Sequence, residues 1–210
     1  LKDLRNRIDS VKSTKKITQA MKMVAASKLK KAQNHAEKSR NYSAGIEDIV
    51  KKLVMSGEYL EHPLIAGEQN DVSKTLIIVV SSDRGLCGGL NTNIVKKTRL
   101  LIKDLENQNK KVSILCVGKK GYDALSLFYR EYFNYSTKMM TISDIDYFSI
   151  QNQGNDIIGN FNNGDFDECY VLYNYFKSVI SQEVKTERLL PYEKSNFENS
   201  QSEDNTFFDF

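Results

Sequence analysis

The first 56 residues carry a pattern that predicts one long helix. Between Leu1 and Ala44 there is no glycine and no proline, and Ala, Lys, Met, Leu and Gln dominate; this composition favours helix. We expect the helix to continue to Ser56. Because a helix this long far exceeds the mean of about 11–12 residues, it needs support from a partner helix or from the body of the protein.

Placed at 100° per residue, this helix shows two apolar faces. The first is a broad stripe, bulky at its start and then rich in Thr and Ala, which predicts a coiled-coil seam that a second helix can approach closely. The stripe consists of Leu4, Ile8, Val11, Thr14, Thr18, Met21, Ala25, Leu29, Ala32 and Ala36. A second patch, Ile17, Ala20 and Val24, falls on roughly the opposite face. We therefore expect contacts on two sides of the helix.

After residue 56 the pattern changes to an alternation of strands and helices. The connection over residues 57–74 is polar and rich in turn formers. Thr75–Val80 is a continuous apolar and β-branched run, typical of a strand buried on both faces. A Gly-rich turn and a helix to about Asn107 follow. The remaining predicted elements are a strand over Lys111–Val117, a helix over Gly118–Arg130, a helix over Ile150–Asn162, a strand over Glu168–Phe176 and an extended segment over Val179–Leu190.

This order predicts the fold class α/β. A long N-terminal coiled-coil helix precedes a three-layer α/β domain with a mostly parallel sheet, because helices that alternate with strands cover both faces of such a sheet. The predicted organisation is a shaft helix over residues 1–56, a linker over 57–74, an α/β domain over 75–191 and an acidic flexible tail over 192–210.

Composition and charge narrow the function classes. Hydrophobic residues make up 40% and charged residues 27% of the chain, and no apolar run approaches the ~20 residues that cross a bilayer, so we expect a soluble protein without a secretory signal. The net charge of +3 is unevenly distributed: the first forty residues hold twelve Lys or Arg against three acidic residues, a balance of +9, and the rest of the chain carries −6. An acidic partner for the N-terminal helix is expected.

Little in the sequence suggests catalysis. Cys87, Cys116 and Cys169 are far apart and form no zinc-binding spacing, so we expect reduced core thiols. The only histidines are His35 and His62. These counts make an enzyme less favoured, and we expect neither a metal nor a cofactor.

The loop SSDRGLCGGLN, between a strand and a helix, is the most distinctive motif. Backbone N–H groups of such a loop can hold phosphate. However, it has neither the GxxxxGK[ST] nor the GxGxxG spacing, so a tight turn that requires glycine is favoured over a nucleotide site.

The basic helix leaves several partners open. Lysines such as Lys12, Lys22 and Lys31 could neutralise the phosphates of a nucleic acid, although Lys outnumbers Arg and the apolar stripe runs through the basic segment, unlike in a bZIP protein. A membrane-surface helix is disfavoured, because the stripe is rich in Thr and Ala and the chain has no Trp. An acidic protein surface is the third interpretation, and a solvated charge run without a partner is the fourth.

Four motifs decide among these alternatives. RIDSVKSTKKITQAMKMVAASKLKKAQ over Arg7–Gln33, SSDRGLCGGLNTN over Ser81–Asn93, VGKKGYD over Val117–Asp123 and YNYFKSVISQ over Tyr173–Gln182 resemble, in order and spacing, the γ subunits of F-type ATP synthases. The resemblance covers Leu1 to about Pro191. The chain has nothing that corresponds to the paired-cysteine insertion of chloroplast members, so we expect no regulation by a dithiol.

The resemblance implies a non-catalytic rotor subunit of the central stalk. Its N-terminal helix would pair with a C-terminal helix inside the ring of three α and three β subunits, and its α/β domain would ride with the ε subunit on the c-ring, so that proton flow drives ATP synthesis. The implied contacts with acidic loops of the ring lie within Lys15–Lys28. They are Lys15, Lys16, Ile17, Met21, Lys22, Met23, Val24 and Lys28.

The resemblance also implies a location and a missing element. We expect the chain to be peripheral to the cytoplasmic face of a bacterial inner membrane, or alternatively to the matrix side of the mitochondrial inner membrane. Because the sequence stops at Phe210, before the family's C-terminal helix, we expect a truncated or fragmentary sequence, or a helix supplied separately.

Overall fold

The computed structural model describes residues 1–56, 62–66, 73–135, 139–142, 146–178 and 181–192. The chain divides into two compact units, Leu1–Ser56 and Gly57–Phe210. The first unit is a single helix, α1, over Lys2–Ser56, so the predicted long helix is confirmed. Most of the predicted linker, and the predicted tail from residue 193 onward, lie outside the described residues.

Most apolar side chains of α1 are exposed along both predicted faces, whereas Leu29 of the stripe is half-buried. Ile8 is 51% exposed and Ile17 is 61% exposed. The hydroxyl of Thr14 donates to the carbonyl of Ser10 at 2.9 Å, and that of Thr18 donates to the carbonyl of Thr14 at 2.9 Å. These bonds satisfy the hydroxyls within the helix, which leaves the stripe free of unpaired threonine donors.

The second unit follows the predicted alternation. Its strands and helices, in chain order, are α2 (Pro63–Ala66), β1 (Lys74–Val80), α3 (Leu90–Asn107), β2 (Lys111–Val117), α4 (Lys119–Leu125), a 3₁₀ turn (Arg130–Tyr132), β3 (Met139–Met140), α5 (Tyr147–Asn162), β4 (Glu168–Ser178) and β5 (Ser181–Leu190). The strands form one five-stranded sheet in the order β3-β2-β1-β4-β5. All neighbouring pairs are parallel except β4 with β5. The fold class α/β with a mostly parallel sheet is confirmed.

β1 lies at the centre because its side chains are apolar on both faces. Ile77 and Val79 pack into one core with α3 and α4, whereas Leu76 and Ile78 pack into a second core with α5. Successive side chains of a strand point to opposite faces, so the uninterrupted apolar run serves two helix layers. The predicted three-layer arrangement follows directly from this run.

Two predicted helices have different bounds in the structure. The helix predicted over residues 118–130 ends at Leu125, because the chain turns back there to bury Phe133, whose ring contacts Tyr122 with centroids 5.0 Å apart. The predicted helix before β4 begins earlier, at Tyr147. Asp146 caps it: its carboxylate accepts from the backbone N–H of Ser149, and the Ser149 side chain bonds back to the Asp146 backbone.

The antiparallel pair β4–β5 extends beyond the sheet as a two-stranded ribbon. β1 pairs with β4 only from Glu168 to Leu172, whereas the pairing of β4 with β5 continues to Ser178. The segment predicted to be extended over residues 179–190 is confirmed as β5 from Ser181 to Leu190, and residues 179–180 lie outside the described residues.

Candidate functional site

All eight predicted ring-contact residues lie on α1 and are exposed. Lys15, Lys16, Lys22 and Lys28 are exposed to solvent, and the exposed fractions of Met21 and Met23 are 50% and 64%. Among the described residues, none of these lysines forms an ion pair. The segment offers uncompensated positive charge beside accessible apolar groups.

The geometry of α1 does not gather these eight side chains on one face. At 100° per residue, Ile17, Met21, Val24 and Lys28 fall within an arc of about 60°. Lys15 and Lys22 lie on the other side of the helix, and Lys16 and Met23 lie between. The second apolar patch lies about 130° from the middle of the stripe rather than opposite it. The predicted contact residues therefore surround much of the helix and can meet neighbours on more than one side.

The Gly-rich turn after β1 is closed by its own side chains. The Asn91 side-chain oxygen accepts from the backbone N–H of Ser82 at 3.1 Å, and the Ser82 hydroxyl donates to the carbonyl of Arg84 at 2.6 Å. Gly88 has φ +60° and Leu86 has φ +63°. Glycine is suited to this left-handed conformation, whereas Leu86 adopts it at a steric cost. The structure thus has the tight turn that was predicted from this motif.

Ser81 and Gly118 fasten the carboxyl ends of β1 and β2. The Ser81 hydroxyl donates to the carbonyl of Gly118 at 3.0 Å and accepts from the backbone N–H of Gly121 at 2.8 Å. Gly118 has φ +107°, and a Cβ at this position would lie 2.2 Å from the carbonyl oxygen of Ser81. Two of the sequence motifs on which the resemblance rests, SSDRGLCGGLNTN and VGKKGYD, thus contact each other at this point.

The three thiols occupy two kinds of environment. Cys116 and Cys169 are fully buried, and burial raises the pKa of each thiol to about 12, as expected for reduced core cysteines. The prediction was wrong for Cys87, which is half-buried in the Gly-rich turn, where the side-chain amide of Asn91 donates to its sulfur at 3.1 Å. A turn cannot bury a side chain on all sides, which is the physical reason for the difference.

A buried carboxylate that the sequence did not reveal lies at the start of β4. Glu168 is 2% exposed. It accepts from the Thr75 hydroxyl at 2.7 Å and pairs with the Lys110 ammonium at 2.8 Å, and the Arg188 guanidinium lies 3.8 Å away. The Tyr170 hydroxyl also donates to it, at 3.2 Å. The partners come from β1, β4, β5 and the segment before β2, so the cluster ties the sheet together.

The described residues supply no metal centre and no membrane span. No group of three or more His, Cys, Asp or Glu side chains in this part of the chain is placed to hold a metal ion. No helix within it is both long and apolar enough to cross a bilayer.

Comparison with known proteins decides the family. A sequence model of the ATP synthase family matches residues 1–210. An ATP synthase gamma chain from Pelagibacter ubique is 42% identical over 211 residues, which cover 100% of this chain and 72% of that relative. The chain belongs to the ATP synthase gamma-chain family.

Other members of the gamma-chain family support this assignment. The gamma chain of Rhodospirillum rubrum is 43% identical over 199 residues, which cover 91% of this chain and 64% of that relative. A solved structure of the central stalk and c-ring of Tetrahymena thermophila mitochondrial ATP synthase matches with a TM-score of 0.63 and 27% identity, covering 88% of this chain and 85% of that one. This chain thus spans about two thirds to three quarters of the length of the two bacterial gamma chains.

Proposed function

We propose that the chain is the central-stalk rotor subunit of an F-type ATP synthase, coupling ion flow through the membrane sector to ATP synthesis in the α₃β₃ ring. Its partners are the α, β and ε subunits and the c-ring, and it is itself non-catalytic. The observation that carries this proposal is the exposed α1 segment Lys15–Lys28, in a chain whose relatives are ATP synthase gamma chains. The bacterial relatives support a peripheral position on the cytoplasmic face of the inner membrane, with the mitochondrial matrix side as the alternative.

The proposed contact with the ring consists of Lys15, Lys16, Ile17, Met21, Lys22, Met23, Val24 and Lys28. Exposed ion pairs are each worth about 0–1 kcal/mol, so lysines can release one acidic neighbour and meet the next as the shaft turns. Deep hydrophobic insertion would hold one orientation too strongly. The exposure of these eight side chains, which are spread around the helix, supports an interface in which the helix can rotate without being held in one orientation.

The sharpest test changes one apolar position into a charge. We expect Met21→Lys, in the assembled ATP synthase, to tighten one rotational position by about 1 kcal/mol, which corresponds to a loss of about fivefold in ATP synthesis. Synthesis driven by an ion gradient would be measured in inverted membrane vesicles. Because Met21 is exposed, thermal unfolding of the chain itself should not change.

Two variants control this experiment. Lys22→Glu should also lower ATP synthesis, because it removes attraction to an acidic ring, whereas Lys38→Glu, an exposed position about 24 Å further along α1, should leave synthesis within about twofold. Unchanged synthesis in Met21→Lys and Lys22→Glu, at normal assembly, would refute the proposed contact.

A further inference from the structure

A basic and apolar groove runs along α3, within the α/β unit. It has a volume of about 590 Å³ and lies between α3 and the turn that follows α4. We call it the α3 groove. Its lining residues are Thr92, Val95, Lys96, Arg99, Leu100, Lys103, Glu106 and Tyr129.

The lining of the α3 groove has an excess of positive charge, with three basic side chains and one acidic one. Lys96, Arg99 and Lys103 follow one another at helical spacing on the same side of α3, over a rise of about 10 Å. None of the three forms an ion pair within the described part of the chain. The one acidic lining residue, Glu106, is bonded to the hydroxyl of Tyr132. That bond helps to raise the pKa of Tyr132 to about 12.

One of these cations is held in place by aromatic rings. The Arg99 guanidinium lies 4.8 Å from the ring centroid of Phe128 and 5.8 Å from that of Tyr129. Cation–π contacts of this kind fix the orientation of the guanidinium without removing its charge. Arginine and aromatic residues are also the side chains most enriched where binding energy concentrates in protein interfaces.

Apolar side chains beside the cations point to a polypeptide ligand. Leu100, which lines the groove, is 52% exposed, and Phe128, whose ring lies against the Arg99 guanidinium, is 67% exposed. Burial of these apolar groups against a ligand would add to the attraction of the cations. A nucleic acid would use the cations but not the leucine, and a lipid surface fits a concave site poorly.

We propose that the α3 groove binds an acidic amphipathic helix of a partner polypeptide. Carboxylates spaced three and four residues apart along that helix would meet Lys96, Arg99 and Lys103, and its apolar stripe would pack on Leu100 and Phe128. This is a helix-in-groove mode of recognition. It uses residues of the α/β unit alone and is separate from the lysines of α1.

The test uses the full chain and a defined ligand. The ligand is a synthetic helix of about 18 residues, long enough to span the groove, with Glu at the spacing of the three cations, Leu on the adjacent face and a benzophenone photo-crosslinker. Mass spectrometry locates the photoadducts, which separates binding at α3 from binding at the basic helix α1. Adducts on residues 92–103 and 127–129 are expected. A peptide with Gln in place of Glu should give about tenfold fewer adducts there, because charge attraction is lost.

Matched charge reversals localise the effect. The variant Lys96→Glu, Arg99→Glu, Lys103→Glu should lose at least about tenfold of its α3 adducts and keep its α1 adducts. Lys97→Glu reverses an exposed cation about 100° away around α3, and its adduct yield should stay within about twofold of the original chain. Phe128→Ala tests the apolar part, with an expected loss of about fivefold.

Several outcomes would overturn the proposal. An equal loss in Lys97→Glu, or equal labelling by the Gln peptide, would show that no specific groove is recognised. Absence of adducts on α3 would do the same. Loss of α3 adducts in the presence of phosphatidylglycerol vesicles or a single-stranded oligonucleotide, at concentrations that leave α1 labelling intact, would assign the groove to those ligands instead.

Discussion

In α1 most large apolar side chains are exposed, whereas in the α/β unit β1 buries its apolar side chains on both faces of the sheet. Ile8 and Ile17 are 51% and 61% exposed, but Ile77 in β1 is 0% exposed. The same residue type therefore has two purposes in one chain. In the α/β unit it stabilises the fold of the chain itself, and in α1 it is available to other polypeptides. Substitutions of the same kind in the two regions should accordingly differ in size and even in sign.

The largest difference is expected for truncation of isoleucine. Ile77→Ala should destabilise the α/β unit by about 4 kcal/mol, because it removes buried methyl groups and leaves a cavity. Ile8→Ala should change stability by less than about 0.5 kcal/mol, because the side chain is already in contact with water. Urea unfolding followed by tyrosine fluorescence measures both, since the chain has 11 Tyr and no Trp. Equal losses would show that α1 shares a core.

The next difference is expected for Gly→Ala, where the sign should reverse. Gly118→Ala should cost about 3 kcal/mol, because φ is +107° and the new Cβ would overlap the Ser81 carbonyl oxygen. Gly45 lies in α1, where an added Cβ would meet nothing within 4 Å, so Gly45→Ala should stabilise the helix by about 0.5–1 kcal/mol. Hydrogen exchange read by mass spectrometry reports each region separately. Faster exchange around residue 45 in Gly45→Ala would contradict the prediction.

The smallest difference is expected for removal of one carboxylate charge. Glu168→Gln should cost about 1–3 kcal/mol, because the partly buried Lys110 loses its ionic partner. Asp48 pairs with Lys52 on the surface of α1, with side chains 58% and 75% exposed, and Asp48→Asn should cost no more than about 0.5 kcal/mol. Urea midpoints at low and high salt measure both. Salt should reduce the effect at Asp48 more than the effect at Glu168, because exposed pairs are screened.

The sequence predicted best those elements that are determined by residues close together in the chain. The strand predicted over Thr75–Val80 was found at almost the same bounds, because its uninterrupted apolar run is itself what fills the two cores. The helix predicted to reach Arg130 ended at Leu125, since the burial of Phe133 decides where the chain turns. The two residues of β3 were missed because so short a strand exists only through its pairing with β2.

The candidate sites also differ in how far the sequence predicts them, according to how far apart their residues lie in the chain. Charge and periodicity, which are properties of consecutive residues, predicted a basic helix with two apolar faces, whereas the contact segment Lys15–Lys28 was implied by the resemblance to γ subunits and stays a prediction. In the Glu168 cluster, Thr75 and Lys110 are 93 and 58 positions away from Glu168 in the sequence. No local sequence pattern therefore predicts the cluster. The α3 groove depends on Phe128 and Tyr129 returning to Arg99 after α4, and this too becomes visible only in the folded chain.

The contact between Ser81 and Gly118 joins two strands at one edge of the sheet. Parallel sheets of this type usually hold small ligands outside the carboxyl ends of their strands. Here the Ser81 hydroxyl bridges Gly118 and Gly121 at that edge, and β4 continues past it into the ribbon with β5. The ends of β1 and β2 are therefore joined at this edge, and a ligand placed between them would first have to break these two hydrogen bonds.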